Sequence, residues 1–255
     1  GQAKLCTNFG EFRKFFGDFS TDQAQSRLAH AVFGFFHNGG TRCYVAVTVG
    51  TAGPARVLER FGAVDEIALV AAPGLSDAVF ANEIGTIRDA IVTHCKIATQ
   101  DRMAIFDCPQ LVEDANSDLD LTLLDPSNTN NVLPDNSDYA AFYFPWIQVF
   151  DSATKIQNPV PTETGRIFVP PSGHMAGIYA RVDTLRGVHK APANEVIRGA
   201  LGVEHRISKA QHDGLNPDGI NIIRQFNGNI TVWGARTLGG DGNTEWKYIN
   251  VRRLF

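Results

Sequence analysis

The residues best suited to chemistry are scattered, and none falls into a spacing that a known reaction requires. Ser172-Gly173-His174 puts a hydroxyl beside an imidazole. Adjacent residues at a helix start do not make a triad, and Ser172 reads as an N-cap with His174 in the first turn. His205 and His212 could share a helix face, but no third ligand follows at a fixed interval and HExxH is absent. Asp114, Asp118, Asp120 and Asp125 are dense enough to suggest a calcium loop, yet they lack its central Gly and closing Glu. Glu195 and Glu204 could flank a cleft, as acid pairs do in many α/β proteins. The chain has no GxxxxGK[ST] and no GxSxG, and no GxGxxG follows its first strand-like run. Cys6, Cys43, Cys95 and Cys108 include no CxxC pair and read as buried thiols, with a disulfide left open. The reading is therefore no catalytic residue, no metal and no cofactor.

The elements that would position such groups are clearer. Short apolar runs alternate with helical patterns. Strand-like runs lie at Ala3–Thr7, Cys43–Val49, Ile67–Ala72, Met103–Phe106, Ala140–Phe150 and Thr164–Val169. Helical periodicity marks Phe9–Phe19, Asp22–His37, Pro54–Phe61 and Asp77–Lys96. This alternation predicts an α/β fold, with a mostly parallel central sheet covered by helices. Ile220–Phe226 and Ile230–Ala235, joined by Asn227-Gly228-Asn229, predict an added β-hairpin near the C-terminus. Val112–Asp138 is rich in Asp, Asn and Ser and reads as a solvated acidic excursion outside the core. The alternating run Tyr248–Leu254 reads as a last strand.

The stretch Pro170–Val203 stands at the centre of this pattern. Two prolines end the preceding strand, and Met175, Ile178, Tyr179, Val182 and Leu185 then recur at helical spacing. Ala176, Gly177 and Ala180 keep part of the helix slim. Arg181 and Arg186 lie towards its C-terminal end, where the helix dipole favours cations. His189 and Lys190 follow in a polar loop. With Arg198, Arg206 and Lys209 they make a basic concentration in a chain of net charge -4. That overall charge argues against a dedicated nucleic-acid binder. The apolar fraction of 44% over 255 residues suits a globular core. No apolar run is long enough to span a bilayer.

The run PPSGHMAGIYARVDTLRGVHKAPANE resembles the signature of contractile tail sheath proteins, which form the outer sleeve of myophage tails, contractile bacteriocins and phage-like injection systems. NGGTRCYVAV, SDYAAFYFPWIQV, LNPDGINIIRQFNGNITVWGARTL and WKYINVRRLF fit in the family's order. The resemblance implies a structural subunit that stacks as six-membered rings around an inner tube. On triggering, the sleeve would shorten and drive the tube through a target envelope. It implies a single sheath main domain over 1–255. It implies as partners other sheath subunits, the inner tube protein, and baseplate and terminator proteins, with no nucleic acid and no membrane insertion. The particle would assemble in the bacterial cytoplasm. Terminal arms would exchange strands with neighbours, with junctions at Ala3, Leu5 and Thr7 and at Val251, Arg253 and Phe255, and both arms are expected to be missing from this chain. Arg181, Arg186, His189 and Lys190 are expected to face the inner tube or a neighbouring subunit; the alternative is that the helix simply packs on the sheet with its arginines solvated. The competing readings are an α/β enzyme, hydrolase-like, with a site built from loops at the strand ends, and a module that binds another polymer.

Overall fold

A computed structural model describes residues 2–48, 52–77, 82–110, 119–157, 165–239 and 246–255. The elements in chain order are β1 (Lys4–Cys6), α1 (Phe9–Phe16), α2 (Gln23–His37), β2 (Cys43–Val45), α3 (Ala52–Gly62), β3 (Leu69–Ala71), α4 (Ile84–Thr93), β4 (Met103–Asp107), β5 (Ala140–Phe144), β6 (Ile147–Phe150), α5 (Ser152–Gln157), β7 (Arg166–Val169), α6 (Ser172–Arg186), β8 (Glu195–Val196), β9 (Ala200–Val203), α7 (Lys209–Leu215), β10 (Ile220–Phe226), β11 (Asn229–Val232) and α8 (Ile249–Leu254). The main sheet has the order β3-β4-β5-β10-β11-β8. Its first three pairings are parallel, and the hairpin β10–β11 and the edge strand β8 add antiparallel. The fold is α/β, as the alternation predicts.

The central strands are buried on both faces, which is why they read as continuous apolar runs. Side chains alternate across a strand. Ala104 and Phe106 of β4 therefore join one core, with Phe142, Phe144, Ile220 and Ile222. Met103 and Ile105 join the other, with Ala141, Tyr143 and Ile223. α6 lies on this second core and under α2, so it is buried almost all round rather than on one stripe. Gly173 and Gly177 make that approach possible: a Cβ would stand 2.4 Å from Ala31 O and 2.3 Å from Phe35 O on α2.

Several expectations need correction. The run at Cys43–Val49 is not a central strand: among the described residues β2, Cys43–Val45, pairs with β1 alone in a separate two-stranded sheet, and Val49 lies outside them. The run Ala140–Phe150 splits at a cis Phe144–Pro145 bond into β5 and β6, and β6 belongs to a third sheet, β7-β6-β9. The helix expected over Asp77–Lys96 runs from Ile84 and finishes in a wider π-type turn, His94–Thr99; residues 78–81 lie outside the described residues. The acidic excursion is partly core. A 3-10 turn at Leu121–Leu124 buries Leu124 completely, and Leu119, Val132 and Leu133 pack on the same cluster. Its polar composition hid these leucines. Asp120 and Asp125 accept from Thr122 and Ser127, closing local turns, while Asp114 and Asp118 lie outside the described residues. The run Tyr248–Leu254 forms a helix, not a strand, because Ile249 points into the core while Arg252 and Arg253 one turn later reach Tyr139 and Asp183.

Candidate assembly interface

An enzyme of this architecture would hold its site in the crevice at the carboxyl ends of the parallel strands. Here that place is filled. After β5, Trp146 is 1% exposed and donates from Nε1 to Cys108 O at 2.6 Å. The Arg27 guanidinium lies 4.5 Å from the Trp146 ring centre, pairs with Asp77 at 3.0 Å and donates to Phe168 O. Arg88 donates to Asp107 O and Val132 O. Asp107, at the end of β4, accepts from the backbone N–H of Ser172 at 2.7 Å. Ser172 is therefore the first residue of α6 rather than its N-cap: Pro171 holds the cap position and a carboxylate from another strand serves the helix start. Burial pushes the Asp107 carboxyl up to about 7, and burial pushes His174 down to about 3, helped by His30 and His37. These are buried groups engaged in packing.

The residues expected at the interface separate into two sets. Arg181 is 8% exposed and its donors are used internally, on Asn38 O, Val196 O and Glu195. Lys190 donates to Ala191 O and Ala193 O, stapling its own loop. Arg186 and His189 stand exposed at the end of α6, beside Leu185 at 71% exposure. Sequence reasoning missed the burial of Arg181 because its acceptors come from α2's C-terminus and β8, both remote in sequence.

The N-terminal junction residues fall on or beside β1. Leu5 is inside the strand, while Ala3 and Thr7 flank it. Among the described residues β1 pairs with β2 alone, leaving its other edge without a strand, and β3 at the edge of the main sheet pairs with β4 alone. A groove of about 350 Å³ runs between β2, the segment 66–71 and the helices α2 and α6, and Arg253 lines its end. At the C-terminal junction, Val251 and Arg253 are helical. Arg253 makes a two-pronged pair with Asp183 of α6 at 3.0 and 2.5 Å, and Phe255 is 81% exposed.

A further surface carries exposed aromatic and basic groups that sequence reasoning did not single out. Phe226 and Trp233 project from the hairpin with their rings 5.6 Å apart, and Arg224 stands beside them. The signal was available in part: the hairpin's alternation places Arg224, Phe226 and Trp233 on the face opposite Ile223, Ile230 and Val232. Among the described residues no helix is long and apolar enough to cross a membrane.

The sheet carries a buried core on each face, and exposed aromatic and charged residues remain on the surface. The model of the phage tail sheath protein central domain matches residues 48–238. The chain belongs to the phage tail sheath family, whose members are structural sheath proteins and not enzymes. It is 29% identical over 126 residues to the tail sheath protein of Burkholderia phage BcepMu, covering 46% of this chain and 24% of that protein. It resembles the sheath of an extracellular contractile injection system, PVC, in the contracted state, with a TM-score of 0.72 and 28% identity over 100% of this chain and 60% of the other. The contracted helical sheath of the anti-feeding prophage matches with a TM-score of 0.69 and 27% identity, over 100% of this chain and 62% of that one. The chain thus spans well under two thirds of the length of these relatives.

Proposed function

We propose that this chain is the main domain of a contractile sheath subunit. Six such subunits would form a ring, and stacked rings would sleeve an inner tube within a phage tail or phage-like particle assembled in the bacterial cytoplasm. Contraction would drive the tube through a target envelope. Inner tube, baseplate and terminator proteins are the partners this role requires. The observation that carries the reading is the full-length likeness of this chain to subunits of two contracted sheaths.

A sleeve that must shorten without falling apart needs tethers that survive rigid-body motion. The free edge of β1 suits that need, since an added strand is held by several main-chain hydrogen bonds at about 0.5–1.5 kcal/mol net each. Ala3, Leu5 and Thr7 would lie at that junction. Arg186 and His189 would face the tube or an adjoining subunit, whereas Arg181 would hold α6 in place from within.

The test is electron microscopy of the full-length protein expressed with its tube partner. Tubes sleeved by stacked six-membered rings are expected. Bare tubes beside soluble monomer would overturn the reading.

A further inference from the structure

We infer that the open face of the β10–β11 hairpin docks the acidic middle segment of a second copy of this chain. The inference rests on the sheath reading above and assigns one of its subunit contacts. Phe226 is 51% exposed and Trp233 37%. Beside them, Arg224 and Arg206 line a surface cavity of about 440 Å³, together with Gln225 and the turn residue Gly228. Among the described residues neither arginine has a carboxylate within ion-pair reach. An exposed Phe226–Trp233 pair with Arg224 5.8 Å from the Trp233 ring, next to a cavity that Arg206 also lines, has the composition of an interface centre rather than of an ordinary wet surface.

The occupant follows from charge. Between Arg102 and Lys155 the sequence holds nine acidic residues and no Lys or Arg; of these, Asp107 and Asp151 are buried and Asp138 pairs with Lys96 and Arg252. From Lys155 to Phe255 it holds thirteen basic residues and eight acidic ones, a net of +5. Asp125 and Asp135 are exposed in the acidic segment, and neither is ion-paired among the described residues. Carboxylates meet arginine through paired N–H···O bonds, which fix orientation as well as supply energy. The two patches lie on different parts of one chain, so joining them between copies gives a head-to-tail contact. Such a contact propagates into rings or helices and does not stop at a dimer.

The test is sedimentation velocity on this chain at low and at high salt, up to its solubility limit. Association that weakens as salt rises is expected, because exposed charge pairs are screened. The double variant Arg206→Glu with Arg224→Glu, and separately Asp125→Lys with Asp135→Lys, should each weaken association about tenfold or more. A mixture of the two variants should recover it, with far-UV circular dichroism unchanged in both. No salt-sensitive association of the parent chain, or no effect of the arginine pair, overturns the inference. Loss with the arginine pair but not with the aspartates also overturns it, since the hairpin would then serve a different partner. The full-length protein separates this from the sheath reading. Sheaths formed equally by the parent and by the arginine variant sink this contact alone, whereas no sheaths from the parent sink the sheath reading itself.

Discussion

The Asp107 carboxylate accepts the backbone N–H of Ser172 at 2.7 Å, joining the end of β4 to the first turn of α6 across 65 residues. A helix start favours a negative charge, and Arg88 adds to that. Burial outweighs both and pushes this carboxyl up to about 7. Its folded value is thus above the ordinary ~3.9 of an unfolded Asp, so the native state binds more protons than the unfolded state between those limits. The stability from this group is full below about pH 4, declines as pH rises, and is gone above about 7. The scale is about 3–4 kcal/mol, at 1.36 kcal/mol per unit. Asp107→Asn keeps an acceptor oxygen and removes the ionisation. It should exceed the parent in urea stability at pH 8, by less at pH 5, and match it only below about pH 4. Equal stabilities at pH 8 would show that the ionised carboxylate costs nothing.

His174 works in the opposite direction. It sits 3% exposed between α2 and α6, its ring filling the space that Gly34 leaves. Burial holds it at about 3, with His30 and His37 adding repulsion. The unfolded state takes up its proton near 6.5, so stability from this group is complete above that pH and is lost progressively towards 3. His174→Asn should cost stability at pH 7.5 through lost packing, by about 1–3 kcal/mol. The same variant should show a shallower decline than the parent between pH 6.5 and 4.5. Parallel denaturation curves for the two proteins across that window would refute the assignment.

How far the sequence carries these conclusions depends on where the partners lie. The hairpin turn was legible because Asn227 and Gly228 adopt positive φ and few other residue types do so readily. The start of α7 is written locally, since both members of its capping box, Ser208 and Gln211, lie within one turn. β4 was legible because Met103–Phe106 is apolar on both faces. The Asp107 cap was not, since nothing near Ser172 announces an acceptor 65 residues earlier. The six residues of α8 were misread because so short a run satisfies strand and helix periodicity alike. Arg181 was misread as an outward charge because its acceptors are backbone carbonyls, which leave no mark in a sequence. The same applies to Trp146, whose burial depends on Arg27 of α2 and on the Cys108 carbonyl, both remote in sequence.

The α2–α6 approach gives a paired prediction of opposite sign. In Gly177→Ala the new methyl would meet Phe35 O at 2.3 Å and Asn38 Cβ at 2.8 Å, so backbone must move. Alanine is worth up to about 1 kcal/mol over glycine within a helix, while overpacking costs about 1–3 kcal/mol. The variant should lose about 1–2 kcal/mol and melt several degrees lower. Gly85→Ala in α4 meets nothing within 4 Å and should be neutral or stabilising. Thermal denaturation of both variants decides whether the contact or the residue type governs.

Arg181 offers the sharpest separation between a buried strut and an outward-facing charge. Its guanidinium donates to Asn38 O at 3.1 Å and Val196 O at 2.9 Å, and approaches Glu195 at 3.4 Å. It thereby ties α6 both to the end of α2 and to the edge strand β8. Arg181→Ala strips donors from two carbonyls and leaves Glu195 with Lys190 as its remaining cation, a loss of about 2–4 kcal/mol. Lysine cannot restore it, because one ammonium cannot reach acceptors that a planar fork spans. Arg186→Ala, on the exposed end of the same helix, should change stability by less than about 0.5 kcal/mol. The stability ordering should therefore be parent and Arg186→Ala together, then Arg181→Lys, then Arg181→Ala. If Arg181→Ala instead keeps full stability in urea, Arg181 carries none of the α2–α6–β8 junction and the internal role assigned to it is wrong.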